Sequence, residues 1–301
     1  MNWRAHLTVD RGANLPQNTP MPKLKNLMVA GVAQVTRHIS PFAVINLLVP
    51  RSGYRIHRGL AYGTDPRQKL DVYVPTGLKA PAPVVVFFYG GGWQGGDRAN
   101  YLAFGQAFAG AGMVAVVADY RLYPQVKYPG FVEDAAAALA FVHAHAAHYG
   151  GDASRIFLAG HSAGAYNAVM VASEPKFIAA RGGSLDWIRG VIGIAGPYNF
   201  LPMSDPVYVE MFHGTNNTDS MPVHHVDGPR PPMLLISGSD DATVRPSNTN
   251  DMSERLRRFG SDVKVIFYKG VGHVGVILSL ARGFRGLAPL RQDMIDFIRA
   301  H

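Results

Sequence analysis

From about residue 60 onward, short runs rich in β-branched and aromatic residues alternate with segments of helical apolar spacing, and this alternation restricts the fold more than any single motif. Strands are expected near residues 70–74, 84–89, 113–118, 155–159, 191–195, 233–237 and 263–268. Helices are expected around 101–111, 131–148, 163–173, 247–259 and 290–298. Strand, helix, strand, repeated, implies a mostly parallel twisted sheet with helices on both faces, because each helical crossover returns the chain to the end of the sheet from which the previous strand began. At 301 residues, 48% hydrophobic and 17% charged, the chain can bury a full core.

Charge is placed unevenly. Residues 1–60 hold Arg4, Arg11, Lys23, Lys25, Arg37, Arg51, Arg55 and Arg58 against Asp10 alone, and the rest of the chain is almost neutral. A nucleic-acid-binding core would carry basic residues through its own elements, so none is expected. Leu24, Leu27, Met28, Gly31, Val32 and Val35 recur at helical spacing, and a second apolar stretch covers 42–49. Neither is long enough to span a bilayer. Residues 1–53 are therefore expected to form a basic helical arm or cap, with peripheral contact to anionic lipid as the alternative role. The N-terminus lacks the apolar stretch and small-residue cleavage site of a secretory signal, which favours a cytoplasmic location. With no cysteine, disulfides, thiolate nucleophiles and cysteine-ligated zinc are excluded.

Residues 54–301 carry the chemistry. "RIFLAGHSAGAYNAV" places Ser162 between a strand and a helix, framed by Gly160 and Gly164. A serine at so sharp a turn needs a strained backbone, and flanking glycines remove the β-carbons that would collide there. Its hydroxyl needs a base, and the base needs an acid to fix its tautomer. Of twelve histidines, His273 in "GVGHVGV" sits in a glycine-framed loop just past a late strand, while His161, next to Ser162, is expected to point elsewhere. His143, His145 and His148 lack the i, i+4 spacing of helical metal ligands. "LLISGSDDATV" offers Asp240 and Asp241, which spacing alone does not separate. A further motif, "FFYGGGWQGGD", satisfies the G-x-G-x-x-G pattern of a dinucleotide turn, yet could equally cradle an oxyanion. Residues 197–229 break the strand–helix rhythm, and as an insertion rich in aromatic and methionine side chains they are expected to line a pocket.

Taken together, Leu70-Asp71-Val72-Tyr73, Gly90-Gly91-Gly92-Trp93, Asp119-Tyr120-Arg121, Gly150-Gly151-Asp152 and the serine turn resemble the α/β-hydrolase carboxylesterases of bacteria, from Tyr54 to Phe297. That broad set includes hormone-sensitive-lipase-like, feruloyl-esterase-like and prenylcysteine-methylesterase-like members. The resemblance implies an α/β-hydrolase fold and a triad of Ser162, His273 and Asp241, the last selected by a Gly-x-x-Asp-x-x-Val pattern over residues 238–244. It also implies oxyanion donors at the Gly91, Gly92 and Ala163 N–H groups. Where the family usually has histidine before the three glycines this chain has Tyr89, so support for that loop must come from a phenol. Asp119 and Arg121 are expected to hold a turn. The implied activity is hydrolysis of short-to-medium acyl esters with no cofactor or metal, and substrate contact is expected from Trp93, Tyr198, Phe200, Met211 and Phe212. Alternatives on the same fold are an arylformamidase or amidase, or a non-catalytic binding protein.

Overall fold

The computed structural model describes Ile45, Asn46 and residues 49–301. The expected helical arm over 1–53 lies outside the described residues apart from these few positions. Along the chain run β1 (Tyr54–Ala61), β2 (Lys69–Pro75), β3 (Ala82–Phe88), α1 (Leu102–Ala109), β4 (Val114–Ala118), α2 (Gly130–His145), β5 (Gly151–His161) and α3 (Ala163–Ser173). They are followed by α4 (Lys176–Ala179), β6 (Gly190–Ile194), α5 (Pro206–Met211), β7 (Met233–Gly238), α6 (Ser247–Arg258), β8 (Val263–Tyr268), α7 (His273–Leu278) and α8 (Leu290–Ala300).

The eight strands form one sheet in the order β1-β2-β4-β3-β5-β6-β7-β8. β2 runs antiparallel to both its neighbours, and every pair from β4 to β8 is parallel. The central strands β3 and β5 read as unbroken apolar runs, with Val84 to Phe88 and Ile156 to Ala159 fully buried, because helices cover them on both faces. Beyond β3 the chain turns to β4 on one side, and β5 lies on the other. Such a reversal leaves a crevice at the carboxyl ends of the strands, and Phe88 of β3 pairs with Gly160 of β5 there. The glycine loop and the serine turn therefore leave the sheet side by side.

β1 was not among the expected strands. It reads "YRIHRGLA", polar on most positions, because it is an edge strand whose outer row meets solvent. Its register is broken between His57 and Leu60, where the Gly59 N–H turns away to the Asp71 carboxylate at 2.8 Å. α5 and α7 were also unexpected, the first inside the insertion and the second opening at His273 itself, which the sequence reading placed in a loop. Among the described residues no helix is long and apolar enough to cross a membrane.

Candidate active site

Backbone geometry places the serine. Ser162 sits at φ 54° and ψ −123°, between the last residue of β5 and the first of α3. A β-carbon on Gly160 would stand 2.2 Å from the Gly164 carbonyl oxygen, and one on Gly164 would stand 2.0 Å from the Phe88 carbonyl oxygen. Both glycines are sterically required, the first by the turn and the second by β3 passing beneath it.

The hydroxyl it exposes is met from the far side of the sheet edge. His273 Nε2 lies 2.9 Å from Ser162 Oγ, and His273 Nδ1 lies 2.7 Å from Asp241 Oδ2. A carboxylate only accepts, so Nδ1 carries the proton and Nε2 is left to accept from the serine. The other carboxylate oxygen, Asp241 Oδ1, accepts from the Thr243 and Val244 N–H groups at 2.9 and 2.8 Å. Burial pushes the Asp241 carboxyl up, but the hydrogen bonds from His273, Val244 and Thr243 outweigh it and hold the group below its usual value. Asp240 instead takes the Ser239 hydroxyl at 2.7 Å on the exposed side, so of the two aspartates only Asp241 reaches the histidine.

His161 does not point away, as its place in the sequence suggested. Its ring packs on His273 with centroids 4.8 Å apart, and its Nε2 donates to the His273 backbone carbonyl at 3.1 Å. The side chain thereby ties the end of β5 to the backbone of His273. Burial, then the neighbouring His273, lower its pKa to about 3, so it is neutral, with Nδ1 buried and unpartnered.

Facing Ser162 is the glycine loop. A β-carbon on Gly90 would stand 2.9 Å from Ser162 Cβ, and one on Gly91, at φ 142°, would stand 2.2 Å from the Gly95 carbonyl oxygen. Among the described residues no acceptor takes the N–H groups of Gly91, Gly92 or Ala163, which leaves three donors beside the serine. α1 begins only at Leu102, after a separate turn over Arg98–Tyr101, so the loop is not the helix N-terminus that a dinucleotide site needs. Tyr89 supplies the support that the missing histidine left in question. Its hydroxyl donates to Asp119 Oδ1 at 2.6 Å and accepts from Arg67 Nη2 at 2.7 Å, and its ring stacks between Tyr101 and Tyr120. Burial, then the Tyr120 and Asp119 neighbours, raise the phenol far above its ordinary value, so it stays a donor. Asp119 also pairs with Arg98, whose Nε bonds Asp71 at 2.8 Å. Arg121 does not pair with Asp119; it grips the buried Asp134 from 2.7 Å.

The pocket over Ser162 has a volume of about 910 Å³. Trp93 and Phe200 line it as expected, but Tyr198, Met211 and Phe212 do not. All three are fully buried. The Tyr198 ring lies against Gly193 and Gly196, and Phe212 packs edge-on to Trp93 at 5.0 Å and to Phe131 at 5.7 Å. These side chains are the insertion's own core, spent on fixing the wall rather than facing the cavity. In their place the wall shows Leu201, Pro202 and Tyr208 from the insertion, and Val244 and Arg245 from the acid loop. The Asp205-Pro206 pair, a cap followed by a first-turn proline, was a readable signal for α5, the helix that presents Tyr208. His143, His145 and His148 are dispersed, to Trp187, the Phe141 carbonyl and Tyr149 respectively.

Sheet order, strained serine turn and the loops gathered at one sheet edge define an α/β-hydrolase-fold protein. Its similarity to known proteins is consistent across sequence and structure. A family model described as BD-FAE matches residues 70–256. The chain is 30% identical to a probable isoprenylcysteine alpha-carbonyl methylesterase of Arabidopsis thaliana, over 92% of this chain and 64% of that protein. Identity to esterase LipC of Mycobacterium tuberculosis is 32%, over 76% of this chain and 62% of that one. Among solved structures, Thermogutta terrifontis esterase 2 phosphoramylated by tabun superposes with a TM-score of 0.67 at 25% identity, covering 83% of this chain and 96% of that one. The chain belongs to the BD-FAE family of α/β-hydrolase esterases. It spans 58% to 68% of the length of the plant methylesterases it matches.

Proposed function

We propose that this protein hydrolyses carboxylic esters through a covalent acyl-enzyme on Ser162. The observation that carries the reading is the unbroken hydrogen-bonded chain Ser162–His273–Asp241 set beside three unengaged N–H groups. Ser162 Oγ attacks the acyl carbon while His273 Nε2 takes its proton, and Asp241 stabilises the imidazolium that results. The carbonyl oxygen becomes an oxyanion facing Gly91, Gly92 and Ala163, each such donor contributing about 3–4 kcal/mol in the transition state. His273 then returns the proton to the departing alkoxide, and a water repeats the sequence to release the acid.

An acyl group of short to medium length is the proposed substrate class, with Trp93 and Phe200 as its apolar wall. The phosphoramylated neighbour is consistent with a site that reacts at phosphorus, so a fluorophosphonate is the suitable probe. The test is a panel of nitrophenyl esters from acetyl to palmitoyl, run on wild type, Ser162→Ala and Asp241→Asn. The serine variant should lose labelling and at least about 10⁴-fold in kcat, and the aspartate variant a comparable amount through the wrong imidazole tautomer. Undiminished turnover by Ser162→Ala overturns the mechanism; faster turnover of palmitoyl than butyryl esters overturns the chain-length clause.

A further inference from the structure

Helix α5 leans over the glycine loop and is held there by the segment that precedes α2. The Tyr128 N–H donates to the Met211 carbonyl at 3.0 Å, His213 Nε2 donates to the Tyr128 carbonyl at 2.7 Å, and Lys127 Nζ meets Glu210 at 2.9 Å. Asp205 caps the N-terminus by accepting from the Val207 N–H at 2.8 Å. A short helix secured at both ends can aim a side chain, and the one it aims at the loop is Tyr208.

The Tyr208 ring stands edge-on to Trp93, centroids 6.1 Å apart at 83°. Its hydroxyl lies 3.0 Å from the point a β-carbon on Gly92 would occupy, and the residue lines the pocket that holds Ser162. No protein group among the described residues hydrogen-bonds that hydroxyl. Half-burial, then the charge of Asp205, raise the phenol above its ordinary value, so it remains protonated at neutral and mildly alkaline pH. A donor held beside an oxyanion loop without a protein acceptor is matched by one partner the reaction itself creates, the negative oxygen that grows next to Gly92.

We propose that Tyr208 Oη is a fourth donor to the ester carbonyl oxygen as it becomes the oxyanion, which makes Tyr208 a catalytic residue carried by the insertion. The assignment rests on the acyl-enzyme reading above. Because a phenol on a short helix is less rigidly fixed than a backbone N–H, its effect falls below that of a backbone oxyanion donor.

Tyr208→Phe keeps the ring against Trp93 and removes one oxygen. Its kcat should fall about 10- to 100-fold with KM within about threefold of wild type, the pattern of an interaction made only in the transition state. The rate of fluorophosphonate labelling at Ser162 should fall by the same factor, since the phosphonyl oxygen takes the place of the oxyanion. Tyr208→Leu should lower kcat no further than Tyr208→Phe and should raise KM, because it removes the wall as well. A Tyr208→Phe enzyme with kcat within about twofold of wild type, or altered in KM alone, overturns the proposal. Failure of the underlying reading looks different: there the wild type itself is unlabelled, or Ser162→Ala retains turnover.

Discussion

Ser162 and Phe200 line the same pocket, yet backbone collisions place the first and side-chain packing places the second. Around the serine, the turn, the glycine loop and the acid loop are locked by main-chain contacts: Gly164 so close to β3 that a β-carbon there would stand 2.0 Å from the Phe88 carbonyl oxygen, Gly91 folded onto Gly95, and Asp241 gripped by two N–H groups. Across the pocket the insertion is held by ring on ring, with Phe212, Trp93, Phe131 and Phe200 forming one aromatic cluster. A backbone lock tolerates almost no change of residue, whereas an aromatic cluster can keep its wall while its members are exchanged. In the proposed mechanism the rigid half carries the nucleophile, base and acid, while the adjustable half supplies the pocket wall together with Tyr208.

The sharpest way to break this contrast is Gly164→Ala. A methyl group there has no room between the serine turn and β3, so the loop and the nucleophile must separate, and kcat/KM should drop on the order of 10²- to 10³-fold along with a lower Tm. Near-wild-type kinetics in that variant means the main chain is not what holds the centre. Phe212→Ala probes the other half: it opens a void in the cluster and should destabilise the fold by about 3–5 kcal/mol in denaturant melts. Its KM for short esters should stay near wild type, because the side chain does not face the cavity; a large KM change with unaltered stability would return Phe212 to the pocket.

His161 makes the stability of this region depend on pH. The unfolded chain protonates this imidazole near its ordinary value, whereas the native state resists down to about 3. Between those limits the unfolded state binds more protons, so stability falls as pH falls, by about 3 kcal/mol from pH 7 to pH 4. Asp241, with its lowered carboxyl, adds a loss in the same direction at more acid pH. His161→Gln keeps an N–H for the His273 carbonyl without titrating, and scanning calorimetry should show its Tm declining less across that window; an identical decline removes His161 from the account. The smallest effect is expected from Phe200→Ala, which trims the lined wall: a loss of about 1–2 kcal/mol in kcat/KM that is greater for hexanoyl than for acetyl esters. Equal losses on both would place the acyl chain elsewhere.

Legibility in the sequence followed the same division. The parallel strands and long helices were readable from apolar periodicity, and Ser162 from two glycines that sterics demands. β1 was hidden because an edge strand facing water loses its apolar alternation. α7 was hidden because a six-residue apolar stretch opening at His273 is indistinguishable from a loop. The insertion announced itself by composition and Phe200 was read from it, but preferring Tyr208 to Tyr198, Met211 and Phe212 as a wall residue required knowing which side chains the insertion buries in its own core.

What the sequence alone determined is the sheet, the serine turn and the short list of residues from which a base and an acid could come, because periodicity and steric exclusion act over a few neighbouring positions. Only tertiary structure decided that His161 braces His273 and that Tyr208 overlooks Gly92; for the acid, spacing left Asp240 and Asp241 open, the family resemblance implied Asp241, and the fold brings its carboxylate to His273. Those outcomes depend on distances between segments up to 116 residues apart in the chain, from Gly92 to Tyr208, which no local pattern encodes.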